Sequence, residues 1–271
     1  PKTSGAAAST PFGGSKVGST PFKPKATTAV PPPKPASARA PAPAPAPMKA
    51  ARISNALEVQ ETEERGKILV SLKALETGEK ILTEKPLLRV NQANPQPSLA
   101  DLQTWANSFA ALAPEDRSRV LELYCPDQAS PSGNLAQLLG PTGANLTTML
   151  KLPVDVRRED LWRMLRVMEC NTFGVPQRDG RLLVELLPTV SRLNHSCLPN
   201  ALRGPGEVPG TVEVRILRPV AAGEELTISY VDPDEELFKP TADRQRRLER
   251  RWQFVCGCER CTAQDTLRAF Q

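Results

Sequence analysis

The stretch that most limits what this chain can fold into is Asn194-His195-Ser196-Cys197-Leu198-Pro199-Asn200, which gathers the only histidine, one of six cysteines and two asparagines into seven residues. A core segment has no use for so many polar groups. Asparagine offers both donors and acceptors, a neutral imidazole one of each, and cysteine a soft metal ligand. The pattern reads as a turn whose backbone and side chains hold something.

Two later stretches belong with it. Gly223-Glu224-Glu225-Leu226-Thr227-Ile228-Ser229-Tyr230-Val231-Asp232 is a turn feeding a short strand, with Leu226, Ile228 and Tyr230 on one face. Cys256-Gly257-Cys258-Glu259-Arg260-Cys261 sets three thiols at C-x-C-x2-C spacing. That clustering, with no apolar signal region at the start, points to metal ligation in a reducing compartment rather than a disulfide framework. A structural zinc takes four tetrahedral N or S ligands, of which this cluster supplies three. Cys125 and Cys170 read as buried small apolar residues.

In this order and spacing, the three stretches resemble the SET-domain protein-lysine methyltransferases. Asn194–Asn200 matches that family's N-H-S-C-x-P-N motif, the segment ending at Tyr230 its catalytic-tyrosine strand, and the cysteine cluster its post-SET zinc segment. The resemblance implies a mostly β fold with an α insertion (α+β): small sheets, a C-terminal segment threaded under the Asn194–Cys197 loop, and a zinc-bound closure. It implies methyl transfer from S-adenosylmethionine to a lysine of a histone or other protein. One zinc would be held by Cys197, Cys256, Cys258 and Cys261. Tyr230 would be catalytic, Asn194 and His195 would hold the cofactor through backbone and side-chain hydrogen bonds, and Phe254 would lie against the adenine.

The rest of the chain is read around that frame. Residues 1–50 hold twelve of the 28 prolines and seven Lys/Arg without an acid. This composition predicts a disordered basic arm, a solvated linker before a binder of acidic surfaces such as nucleic acid. Removing those seven from 35 basic residues leaves the remainder near neutral against 30 acidic ones. The SET domain is expected over 57–232 and the zinc segment over 244–261. Lys67–Leu72 and Lys80–Glu84 suggest an antiparallel pair turning at Thr77-Gly78. Arg65-Gly66-Lys67 matches the family's cofactor-side G-x-G, with Ile68 where the second glycine is expected. A branched side chain there narrows the pocket, which favours a second reading, a SET domain without turnover serving as an interaction module.

Leu99, Leu102, Ala106, Phe109 and Leu112, and again Leu161, Met164, Leu165 and Met168, recur at helical steps. Loops are expected around Pro131–Gly133 and Pro141–Gly143. A helical insertion at about 95–170 resembles the SET-and-MYND subgroup, without its MYND finger, which needs seven Cys and one His. Glu169-Cys170-Asn171-Thr172-Phe173 resembles the subgroup's segment in which an Asn contacts the cofactor. Arg181–Leu187 reads as a buried strand, and Thr211–Leu217 as a half-buried one paired across Gly204-Pro205-Gly206. Arg244, Arg246, Arg247, Arg250 and Arg251 fall on a predicted helix and read as a solvated face. With no apolar run of about 18 residues, no membrane span is expected. The reading is a monomer of nucleus or cytoplasm.

Overall fold

The first sheet is built from β1 (Lys49–Arg52), β2 (Leu57–Thr62) and β3 (Gly66–Ser71), antiparallel in that order, with Leu57, Val59 and the run Ile68–Ser71 buried. Gly66 closes the β2–β3 turn at φ +63°, a region where a side chain is strained. The computed structural model describes residues 49–126, 134–232 and 237–263. The expected arm thus lies outside the described residues except for Lys49 and Ala50, which belong to β1, and the turn at Pro131–Gly133 lies outside them too.

Next come β4 (Lys80–Glu84) and β5 (Leu88–Gln92), then five helices: α1 (Leu99–Ala110), α2 (Pro114–Leu121), α3 (Asn134–Leu139), α4 (Leu146–Met149) and α5 (Arg158–Asn171). The chain continues through β6 (Thr172–Pro176), β7 (Leu182–Leu186), β8 (Asn194–His195), β9 (Ala201–Pro205), β10 (Val212–Ile216) and β11 (Thr227–Ile228). It ends in α6 (Thr241–Trp252) and α7 (Glu259–Thr262). None of the described helices is long and apolar enough to cross a membrane.

Pairing departs from the expected hairpin. β3 pairs with β2, and β4 pairs with β10, in a β4-β10-β9 sheet. The chain before β3 supplies an alternating strand and a tight turn of its own, so the nearer partner wins and β4 is left to a distant one. The predicted β10 pairs with β9, but Gly204 and Pro205 are inside β9, and the turn falls after them.

The helical core packs Leu102, Trp105, Ala106 and Phe109 of α1 on Leu161, Met164, Leu165 and Met168 of α5, with Val90 and Val184 of the β5-β7-β6 sheet. α1 starts at a reciprocal cap, in which Ser98 Oγ accepts the Asp101 N–H at 3.2 Å and Asp101 Oδ2 accepts the Ser98 N–H at 2.8 Å. A second core joins the small sheets through Leu57, Leu69, Val190, Leu193, Val214, Leu226 and Ile228. A third gathers Cys197, Val231, Leu248, Trp252 and Cys256. Tyr230 packs against both the second and the third.

Two short ladders fix the site. β11 pairs with β8 in parallel, Thr227 opposite Asn194 and Ile228 opposite His195. On its other side the same segment bonds β3: the Leu226 N–H donates to Leu69 O and the Gly223 N–H to Ser71 O, both at 2.7 Å. The segment leading to Tyr230 is therefore held on both sides, by β3 and by the polar heptad.

Candidate active site and metal centre

Cys197 lies two residues past the end of β8, and the other three thiols lie in the turn between α6 and α7 and in α7 itself. Gln253 makes that turn possible: it takes φ 59°, the left-handed conformation that ends a helix, and its N–H donates to Glu249 O at 3.0 Å. The four Sγ atoms of Cys197, Cys256, Cys258 and Cys261 lie within 4.8 Å of one another, with Cys197 and Cys261 at 3.6 Å. Tetrahedral zinc with Zn–S near 2.3 Å spaces its sulfurs by about 3.8 Å. The cluster is the right size and chemistry for one soft divalent ion, and it draws on two distant stretches.

His195 stands between this cluster and Tyr230. Its Nδ1 accepts the Tyr230 N–H at 3.0 Å, which puts the ring proton on Nε2, 3.3 Å from Cys197 Sγ. The imidazole is 3 % exposed and both nitrogens are committed within the protein. The side-chain hydrogen bond to a cofactor expected of His195 therefore has no free ring nitrogen to make it.

Tyr230 donates its hydroxyl to Leu193 O at 2.8 Å. Burial, with the Glu225 carboxylate second, pushes the phenol well above its usual range, so it stays neutral at any physiological pH. Its ring centroid lies 5.4 Å from that of His195 and 5.2 Å from that of Trp252, and Phe254 meets it edge-on at 6.4 Å.

Glu225 ties three stretches together. It accepts from Asn194 Nδ2 at 3.1 Å and pairs with Arg65 at 3.0 Å, while Arg65 reaches His195 O at 3.5 Å. Burial raises the Glu225 carboxyl, and Arg65 and Asn194 oppose that rise.

These groups border a cavity of about 780 Å³. Arg65, Gly66, Lys67, Asn171, Asn194, His195, Tyr230 and Phe254 all line it. Asn171 is 7 % exposed, and its Nδ2 donates to Tyr124 O at 2.7 Å and Val167 O at 2.9 Å, which leaves only its amide oxygen to face a ligand. Ile68 does not line the cavity; it is a packed residue, 5 % exposed. The expected narrowing by Ile68 is not found, because β3 turns that side chain into the protein.

Cys125 and Cys170, expected to be buried, are half-buried lining residues, the Cys170 thiol being pushed up to about 12 by burial. Trp252 also lines the cavity, and its Nε1 donates to Cys170 O at 2.9 Å. Arg192, just before the polar heptad, also lines it, as do Tyr124 and Arg163 from chain stretches to which no motif pointed.

The sequence profile of the SET domain matches residues 66–231, more than half of the chain, and the protein belongs to the SET-domain family. Its relatives are lysine methyltransferases: it is 36% identical over 104 residues to the human N-lysine methyltransferase SMYD2, covering 38% of this chain and 22% of that protein. It is 37% identical over 97 residues to the histone-lysine N-methyltransferase SET5 of Meyerozyma guilliermondii, covering 35% of this chain and 18% of that one. The matched stretches thus span about a fifth of those relatives' lengths. The solved SET domain of LSMT bound to lysine and AdoHcy aligns with 76% of this chain and 54% of its own at 15% identity and TM-score 0.42.

Proposed function

We propose that this protein methylates lysine side chains of a protein substrate, with S-adenosylmethionine as methyl donor. The observation that carries the proposal is the position of Tyr230. Its backbone is pinned to His195, its hydroxyl to Leu193 O, and its ring lies on a cavity that Asn194, Arg65 and Phe254 also line.

The lining suits that cofactor chemically. Phe254 and Trp252 offer ring faces for a flat base, while Glu61, Glu64 and Glu122 with Arg65, Lys67 and Arg192 offer both signs of charge to a molecule that carries both. S-adenosylmethionine, when bound, supplies a methyl group made electrophilic by its sulfonium sulfur. The chain's own part is to present a neutral amine. A free lysine has a pKa of about 10.4, so it must shed a proton before it can attack. The apolar surroundings of Tyr230 disfavour the ammonium form by desolvation. The phenol, locked neutral, acts as a hydrogen-bonding group that orients the amine rather than as a base, as does the Leu193 carbonyl beside it.

Zinc fits the four thiols, and Cys197, Cys256, Cys258 and Cys261 would hold it. Its role would be structural, fixing against β8 the segment whose Phe254 and Cys256 border the cavity. The alternative of a module without turnover drew its support from Ile68, which packs away from the cavity lining.

Tyr230→Phe tests the proposal. With labelled S-adenosylmethionine and a histone or peptide-array substrate, turnover is expected to fall about 100-fold. Cofactor affinity by calorimetry is expected to stay within about threefold. Undiminished turnover in the variant would remove Tyr230 from the mechanism.

A further inference from the structure

Helix α6 carries an arginine-rich face, and one of its arginines is not on it. Arg244 is 3 % exposed, in line with Leu248 and Trp252 along the buried stripe of the helix. Its Nε lies 3.2 Å from Cys197 Sγ, and one terminal nitrogen lies 3.5 Å from Cys261 Sγ and 3.1 Å from Thr241 Oγ1. The other terminal nitrogen donates to Lys239 O. None of the ion pairs among the described residues gives Arg244 a carboxylate. A permanently charged group out of water needs an opposite charge beside it, and among the described residues the sulfurs are the groups it touches that can carry one.

We propose that Arg244 is a positioning residue of the metal centre: its guanidinium supplies the N–H···S hydrogen bonds and the counter-charge that hold Cys197 and Cys261 in place on the zinc. This rests on the zinc reading given above. Four thiolates around Zn²⁺ carry a net charge of −2, which Arg244 reduces to −1. Cys197 receives two donors, Arg244 Nε–H and His195 Nε2–H, the latter at 3.3 Å. It is also the one ligand from outside the terminal segment, so it is the bond that must break for that segment to leave β8. Such hydrogen bonds orient a metal-bound sulfur and offset its charge, which holds it in place on the metal.

The test uses the full chain and two readouts other than activity. Zinc transfer to a chromophoric chelator is timed in wild type, Arg244→Gln, Arg244→Lys and the exposed control Arg246→Gln. The cobalt-substituted proteins are compared by their sulfur-to-cobalt charge-transfer band.

Arg244→Gln is expected to release zinc about tenfold faster, with the band moved to lower energy. Arg244→Lys restores the charge without the fork and should fall between, and Arg246→Gln should match wild type. Release and band both unchanged in Arg244→Gln, with wild type holding zinc, would overturn the assignment. Should Arg244→Gln not fold, Arg244→Lys decides: faster release supports the assignment, release at the wild-type rate overturns it. A wild-type chain that binds no zinc would overturn the metal reading itself, and is distinguished by metal content alone.

Discussion

Asn200 ends the polar heptad and is 1 % exposed. Its Oδ1 accepts the Thr227 N–H at 2.8 Å, and its Nδ2 donates to Glu225 O at 2.8 Å and Glu224 Oε1 at 3.2 Å. Every polar atom of the side chain is thereby spent on the segment that leads to Tyr230. Asn200→Asp keeps the shape but turns a donor into an acceptor facing two acceptors, one of them a carboxylate. The variant is expected to lose about 3 kcal/mol of stability. Urea denaturation should show this as a lower midpoint at unchanged slope; a wild-type midpoint would mean that the network is not holding the segment. At this scale the sequence showed which side chains matter and hid how they are used. The polar heptad, Tyr230 and the cysteine spacing stood out because such residue types are rare together. That His195 spends both nitrogens inside the protein, or that Ile68 turns away from the cavity, depends on which face each element presents after packing. Arg244 is the clearest instance: its spacing to Leu248 and Trp252 fits a buried stripe, but its charge argued for solvent, and only the sulfurs across the interface reverse that judgement.

Helices α1 and α5 were legible because their apolar residues recur at three- and four-residue steps, a local signal that packing between the two helices then reinforces. Strand partners were legible for β9 and β10, joined by a short glycine-rich turn, and not for β3 and β4, since alternation marks a strand without saying what it pairs with. β4 and β10 meet across most of the domain, and nothing in either sequence names the other. Helix α5 also carries a titration that couples it to α3. Burial pushes the Glu169 carboxyl from its ordinary 4.5 up to about 7, against the Leu135 N–H, Arg251 and Arg166, which pull it down. A raised carboxyl pKa means that the folded state holds its proton more tightly than the unfolded one. The resulting stabilisation is complete below pH 4.5 and is lost as pH rises through about 7. Glu169→Gln keeps an acceptor for the Leu135 N–H and cannot ionise. Between pH 5 and pH 8 the wild type should therefore lose on the order of 2–3 kcal/mol relative to this variant. Thermal or urea unfolding at the two pH values measures the difference, and parallel pH profiles would refute it.

Over the whole molecule, stability and cavity are divided between different parts. Among the described residues, the helical core of α1 and α5 and the small-sheet core hold none of the four clustered thiols. The third core is built around Cys197 and Cys256, and the segment it anchors supplies Phe254, Val255, Cys256, Gly257 and Cys258 to the cavity wall. Stripping the ion should therefore spare the first two cores and open the third. Cys197 and Cys261, held 3.6 Å apart, would be left as neighbouring thiols, with hydrogen bonds but no metal bond between the two stretches. Phe254, 6.2 Å from the His195 ring, would lose the constraint that keeps it there. Chelator-treated protein is accordingly expected to keep its helical circular dichroism and a cooperative melt. Its affinity for S-adenosylmethionine should weaken at least about tenfold, and return on addition of zinc. Calorimetric titration of the treated and re-zinced protein decides the matter. Unchanged affinity in protein shown to be metal-free would mean that packing by Leu248 and Trp252 alone closes the cavity.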